Sequence, residues 1–367
     1  MTSAASSPPR LARLACALLL VVLVAPLLPA ARPPAAGAKP TPGATIATTA
    51  LGGVRVCRGE VVRLRYRVDG SGETAILDLI VTDRDGDEVR HLVREKATPV
   101  GKAQVWRGRL WLAPGEYHFA ALARDEHGRR EKRAVPGRLT VLPPAVPSAA
   151  AVKRALAWAA QRGGTVSVAV VDSAGRLHGL HADRRVTSAS VVKAMLLVQY
   201  LREHRTVSEA MQGTLARMIE HSDNGATAVV YAQVGRGGLL RLARLSGMRG
   251  FQPSGGWITT RITAADMARF FRDMDRYIPK HHRAFARSLL AGITPHQRWG
   301  IPPAAEPLGY KVYFKGGWLG AYILANQAAR LEKGRVRIGL AVFTQDNPSS
   351  GYGLETIRGT TARLLQR

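Results

Sequence analysis

Ser188-Ala189-Ser190-Val191-Val192-Lys193-Ala194-Met195-Leu196-Leu197 is an apolar run opened by two serines and interrupted by one lysine. It predicts the start of a helix, and Ser190 and Lys193, three positions apart, fall on one face of it. A serine hydroxyl is a poor nucleophile until a base removes its proton. A lysine can be that base if its ammonium form is destabilised. Backbone N–H groups at a helix start also favour a developing oxyanion. Alone, the pair has a plainer reading, with Ser190 as an N-cap and Lys193 as a solvated side chain.

Two downstream stretches change its weight. His221-Ser222-Asp223-Asn224 ends a helix-like segment, and Phe314-Lys315-Gly316-Gly317-Trp318 lies on a predicted strand. Ser-x-x-Lys, Ser-Asp-Asn and Lys-x-Gly in this order resemble the signature of class A β-lactamases and penicillin-binding proteins. Val166–Lys193 looks like that family's first hairpin and its link into the nucleophile helix. Thr260–Ala268 looks like a later helix start ending in Met-Ala, and Leu289–Trp318 like the run into the third motif. The likeness covers nearly all of residues 150–367.

The resemblance implies a role for each residue. Ser190 would attack a carbonyl carbon while Lys193 takes its proton. Ser222 would relay a proton toward the leaving nitrogen, and Asn224 would hold Lys193 and the substrate amide. Lys315 would hold Ser222 and draw a substrate carboxylate, with Gly316 and Gly317 lining the substrate edge. The backbone N–H groups of Ser190 and Trp318 would form the oxyanion hole. A second cation near Lys193 would lower its proton affinity, which suits a general base.

The chain also departs from that pattern. Class A enzymes hydrolyse their acyl-enzyme with a water held by a loop glutamate, yet no Asp or Glu occurs between Asn224 and Asp266. The corresponding stretch is Phe251-Gln252-Pro253-Ser254-Gly255-Gly256-Trp257, and Asp266 reads as part of a Thr263-Ala264-Ala265-Asp266 capping box. Gly316 replaces the usual Thr or Ser, and the gap between Ser190 and Ser222 is short for the family. Acylation is therefore expected, and rapid β-lactam turnover is not. His178/His181 and His281/His282 lack metal-site spacing and read as solvated, so no metal is expected. Gly235-Arg236-Gly237-Gly238 reads as a loop without the Walker Lys-Ser/Thr, and no cofactor is implied.

Upstream, Arg10 and Arg13 precede the apolar run Leu14–Leu28, broken at Pro26 and followed by Ala36-Gly37-Ala38. This order reads as a signal peptide over 1–38, with an uncleaved anchor as the alternative. Secretion or cell-wall association would follow, with no membrane span after cleavage. Cys16 sits at the front of the apolar run, away from a lipid-attachment position. Cys57 reads as a buried packing residue.

Residues 43–142 read as strands split by Gly and Asp turns, which predicts an all-β sandwich. Trp106-Arg107-Gly108-Arg109 and Gly115-Glu116-Tyr117 resemble the order found in immunoglobulin-like domains of the flagellar hook-capping type. Asp83, Asp85 and Asp87 read as a hairpin turn rather than a calcium loop. Pro143, Pro144 and Pro147 mark a stiff linker over 143–148. From 149 to 367 the pattern is α+β. A helix over Ala149–Gln161 leads to a hairpin and a helical region from about Ser190 to Met274. A helix near Arg283–Ala291, two strands near Val312–Phe314 and Val336–Phe343, and a last helix over Gly353–Gln366 follow. This predicts the three-layer domain of β-lactamases and DD-peptidases behind the sandwich.

The net charge is +27. Residues 143–367 hold 31 basic against 13 acidic side chains, and residues 45–142 hold 18 against 13. Such a surface attracts anionic wall polymers, lipid headgroups or carboxylate-bearing substrates. Export, and the lack of a basic helix interleaved with aromatics, speak against nucleic acid. The expected activity is that of an exported serine acyl hydrolase loading Ser190 from a D-alanyl peptide, β-lactam or related amide or ester. Peptidoglycan or a β-lactam-like molecule would be the substrate. Two alternatives stay open: a β-lactamase with an atypical deacylation route, and a wall-binding or penicillin-trapping module that acylates and stalls.

Overall fold

The computed structural model describes residues 46–131, 133–320 and 323–366. The expected signal peptide lies outside them.

Val61–Asp69 shows why the N-terminal region forms sheets. Its side chains alternate, with Val62, Leu64, Tyr66 and Val68 buried and the arginines between them exposed. Among the described residues it belongs to a four-stranded sheet ordered Ala103–Arg109, Val61–Asp69, Ala47–Ala50, Arg133–Val135. A second sheet runs Val54–Cys57, Gly137–Leu142, Gly115–Arg124, Thr74–Thr82, Glu88–Pro99. Both supply one core, in which Leu64, Leu77, Leu79, Val81, Phe119 and Leu139 are fully buried. Each such side chain contributes about 1.5–3 kcal/mol. Cys57 is buried. The Asp83 carboxylate accepts from the backbone N–H groups of Asp85 and Asp87, which closes the hairpin turn.

Segment 143–148 is tied down rather than free-standing. Val146 exchanges hydrogen bonds with Ser173, donating to its hydroxyl at 2.9 Å and accepting from its N–H at 2.8 Å. Nearby, Arg176 bridges the buried Asp172 carboxylate to Glu60 of the N-terminal region. The described residues form one compact unit with two cores.

The second core surrounds an antiparallel sheet ordered Leu177–Leu180, Thr165–Val171, Val336–Gln345, Leu324–Lys333, Lys311–Leu319. Helix Ala264–Asp273 packs so closely on it that a Cβ on Gly339 would stand 1.9 Å from the Ala268 carbonyl oxygen. Helices Ala149–Ala160 and Ser350–Leu365 pack together. Gly353 of the second abuts the Thr344 hydroxyl. Residues 339 and 344 point to opposite faces of one strand, so helices cover both faces. Helices Lys193–Glu203, Glu209–Glu220 and Asn224–Leu245 form a further helical lobe. Every residue from Lys193 to Leu201 is buried, as in a helix surrounded by protein.

Several expectations need correction. Between helices Arg283–Ala291 and Ser350–Leu365 the described residues form three strands where two are expected, the additional one being Leu324–Lys333. Its Asn326, Gln327 and Arg330 look wrong for a central strand, yet each is fully buried and partnered. Asn326 joins Thr187 O and Thr344 N, while Gln327 joins Trp299 O and Ile301 N. Arg330 meets Asp275 at 2.7 Å and also Glu332. Gly235–Gly238 lies inside helix Asn224–Leu245, which Gly235 interrupts with φ 59° and ψ −179°. The histidines are not simply solvated: His178 bonds Asp172 at 3.0 Å, and buried His282 bonds the His204 carbonyl at 2.8 Å.

Candidate active site

Ser190 lies in a single 3-10 turn, Ala189–Val192, and the α-helix begins at Lys193. Lys193 N–H donates to the Ser190 carbonyl, and side chains three apart in such a turn eclipse, so the two residues lie on one side of it. Ala189 adopts φ 44° immediately before Ser190, and Ser222 adopts φ 57°. Non-glycine residues in this region are strained by about 1–2 kcal/mol. Such strain persists where surrounding structure enforces it, and it concentrates at functional sites.

What surrounds the turn explains how it is held. Val186–Thr187 pairs with Arg261–Ile262, and Ser188 N–H donates to the Thr260 carbonyl at 2.8 Å. Asn326 grips the Thr187 carbonyl from the central sheet. A Cβ on Gly317 would stand 2.6 Å from Ser190 N, so the strand carrying Lys315 presses its backbone against the turn. The Ser222 segment is held from another side. Gln297 donates to the His221 carbonyl at 2.9 Å, and Thr294 donates to Glu220 O. Asp223 then caps helix Asn224–Leu245 by accepting from Ala226 N.

These constraints bring Lys193, Ser222, Asn224 and Lys315 together. Lys193 Nζ donates to the Ser222 carbonyl at 2.6 Å, the Ser222 hydroxyl at 3.2 Å and Asn224 Oδ1 at 2.9 Å. Lys315 Nζ donates to the same hydroxyl at 3.2 Å and to the Gly316 carbonyl at 3.0 Å. Both lysines are fully buried. Among the described residues no hydrogen bond joins Lys193 Nζ to Ser190 Oγ; the amine is directed at Ser222 and Asn224 instead.

Burial drives the electrostatics. Desolvation pushes the Lys193 amine down to about 7, with the nearby Asp223 carboxylate opposing it. Burial pushes Lys315 well below the ordinary lysine value, and the adjacent Lys193 adds to this. A neutral Lys193 can accept a proton near neutrality, and Ser222 can pass one between the two amines.

Sequence reasoning missed two aromatic residues. Lys193 Nζ lies 4.7 Å from the centroid of the Trp257 ring. Such a contact attracts an ammonium by about 0.5–2 kcal/mol, well below the cost of fully burying the charge. Trp299 covers Gly316, where a Cβ would meet its ring at 3.2 Å, and stands edge-on to Trp318 at 6.1 Å. The place of the family's Thr or Ser hydroxyl is thus taken by aromatic packing. The available signal was the isolated tryptophan in the Gly- and Ser-rich stretch 251–257. Asp266 does follow Thr263 in a helix cap, its N–H donating to the Thr263 hydroxyl at 3.1 Å. Its carboxylate, however, holds the N–H groups of Arg249 and Gly250.

The profile of the Beta-lactamase2 family, described as the beta-lactamase enzyme family, matches residues 206–367. That segment contains Ser222, Asn224 and Lys315 and starts after Lys193. No curated protein matches the chain. Among solved structures, a β-lactamase from Sphaerobacter thermophilus is similar at 21% identity and TM-score 0.52, over 59% of this chain and 96% of that one. PBP-A is similar at 16% identity and TM-score 0.53, over 61% and 98%. A PBP-A mutant solved as an acyl-enzyme complex with penicillin G is similar at 16% identity and TM-score 0.52, again over 61% and 98%. The helices and antiparallel sheet that carry Ser190, Ser222 and Lys315 therefore have the fold of the β-lactamases and PBP-A.

Proposed function

We propose that this chain is an exported serine acyl hydrolase that loads Ser190 from a D-alanyl peptide, a β-lactam or a related amide or ester. The observation that carries this reading is the Lys193–Ser222–Lys315 chain, anchored by Asn224 and set beside the Ser190 turn. A buried lysine titrating near neutrality supplies the base. Ser190 Oγ attacks the carbonyl carbon as its proton passes to Lys193. The leaving nitrogen then takes a proton by way of Ser222. The N–H groups of Ser190 and Trp318 stabilise the oxyanion.

Intact-mass spectrometry of the full chain after exposure to a β-lactam tests the reading. One adduct on the wild type that Ser190→Ala abolishes is the expected result. An adduct that survives in the alanine variant would overturn it.

A second reading, acylation with slow release, is favoured by the acid-free stretch before Asp266 and by the commitment of its carboxylate to Arg249 and Gly250. Gly316, packed under Trp299, also lacks the hydroxyl that would clamp a substrate carboxylate, which disfavours small bicyclic antibiotics as preferred substrates. The N-terminal sheets fit an immunoglobulin-like spacer, and the basic surface fits retention on anionic wall polymers outside the cell.

A further inference from the structure

Release of an acyl group from Ser190 to water has definite requirements. A water oxygen must attack the ester carbonyl while its proton moves to a base. The tetrahedral intermediate then expels the Ser190 oxygen, which takes a proton back, leaving a free acid and an intact serine. The base must see water. Lys193 is the titratable amine in place, and it is fully buried. Ser222 and Asn224 take its three hydrogen bonds. Lys315 approaches from strand Lys311–Leu319, and Asp223 stands at the start of helix Asn224–Leu245. The Trp257 ring also lies against the amine, its centroid 4.7 Å away.

Trp257 is held there. Its carbonyl accepts from Thr260 N–H at 3.3 Å, and the Thr260 carbonyl accepts from Ser188 N–H at 2.8 Å, two residues before Ser190. The Thr259 and Ser254 hydroxyls bond one another at 2.6 Å, and the Gly256 carbonyl accepts from Thr260 Oγ1 at 3.3 Å. The loop is thus braced across its base and tied to the nucleophile turn. No carboxylate lies in it to orient a water.

We propose that Trp257 is a positioning residue that seals Lys193 from water, so that an acyl group on Ser190 is loaded readily and hydrolysed slowly. The inference rests on the Ser190 chemistry proposed above. It assigns the slow step to a particular side chain rather than to the missing carboxylate alone. Opening the seal should let water reach the amine and the ester together. Lost attraction between ring and ammonium acts in the opposite sense on Lys193, but burial is the larger influence.

The test compares the full chain with Trp257→Ala and Trp257→Phe, using a fluorescent penicillin as the acylating probe. The adduct is chased with unlabelled buffer and followed by intact mass. In parallel, Lys193 is titrated by NMR in ¹³C-lysine-labelled protein, with the resonance assigned through Lys193→Met. Adduct loss should be roughly tenfold faster or more in Trp257→Ala and close to wild type in Trp257→Phe. The Lys193 midpoint should rise toward the ordinary lysine range in Trp257→Ala. Unchanged adduct lifetime in a folded Trp257→Ala protein overturns the proposal. Absence of any wild-type adduct overturns the Ser190 chemistry instead, and the titration then decides: a raised midpoint supports the seal and an unmoved one refutes it. Should Trp257→Ala fail to fold, Trp257→Gln, which keeps part of the side chain's length while admitting water, takes its place.

Discussion

Lys193 donates twice to Ser222, at 2.6 Å to its carbonyl oxygen and at 3.2 Å to its hydroxyl. The left-handed backbone of Ser222 bends the chain back so that carbonyl and side chain reach one amine. The carbonyl accepts whatever the protonation state of its donor. The hydroxyl can switch, accepting from an ammonium or donating to a neutral amine. In the chemistry proposed above, that switch would let a proton taken from Ser190 travel onward to a leaving group.

Acylation should therefore follow the charge on Lys193. Its rate should rise with pH, approaching tenfold per pH unit below about 7 and levelling above, since only the neutral amine accepts a proton. Lys193→Met should abolish this limb and slow acylation by about 10²–10⁴-fold. The pH dependence of adduct formation checks both.

Folding stability should carry the same signature. An unfolded lysine titrates near 10.4, whereas folded Lys193 titrates at about 7. Between those values the unfolded chain binds more protons, so stability should climb with pH by up to about 1.4 kcal/mol per pH unit for this group. Lys315, depressed in the same direction, adds to the climb. Denaturant midpoints from pH 7 to 9 should rise in the wild type and rise less in Lys193→Met. Equal slopes in the two proteins would contradict the assignment.

Ser222→Gly separates chemistry from strain. Glycine accepts φ 57° without penalty but gains freedom in the unfolded chain, and the two effects nearly offset. Stability should stay within about 1 kcal/mol of wild type. Loss of the shared hydroxyl should nonetheless slow acylation by about 10²-fold or more. Thermal melting and adduct formation on one sample read out the difference.

The sequence motifs pointed to the residues that cluster around Lys193, but not to every strand of the sheet beside them. Ser222, Asn224 and Lys315 meet Lys193 because each sits at the end or edge of an element with a strong local signal, a helix cap or an apolar strand. Strand Leu324–Lys333 lacked that signal, since Ala325, Ala328 and Ala329 have weak strand preference and Asn326, Gln327 and Arg330 mimic a loop. Their partners Thr187, Trp299 and Asp275 are remote in sequence, so only the folded chain shows them satisfied. Trp257 gave only the signal of an isolated aromatic in a Gly- and Ser-rich stretch. Its importance comes from tertiary proximity to Lys193 across more than sixty residues, which no periodicity encodes.

Asn326→Leu tests whether those buried polar groups maintain the site or merely fill the strand. The change leaves the Thr187 carbonyl and Thr344 N–H without their side-chain partner. Each orphaned buried group costs roughly 1–3 kcal/mol. The melting temperature should fall, and acylation measured well below it should fall too, because Thr187 leads into the Ser190 turn. A stability loss with unchanged acylation would confine Asn326 to the core.

Gly317→Ala isolates the last constraint on Ser190. Gly317 lies within strand Lys311–Leu319, paired with Asn326, and an alanine there is compatible with strand backbone. Its Cβ, however, would sit 2.6 Å from Ser190 N and 2.9 Å from both the Ser188 carbonyl and Val191 N. All three are backbone atoms and cannot rotate away, so the strand or the 3-10 turn must shift. Displacing a nucleophile by about 1 Å can cost about 10²-fold in rate. Acylation should drop by that order, while the Lys193 titration, which depends on Ser222, Asn224 and Lys315, stays near about 7. If the titration moves as far as the rate falls, Gly317 shapes the buried lysine pair and not the nucleophile turn.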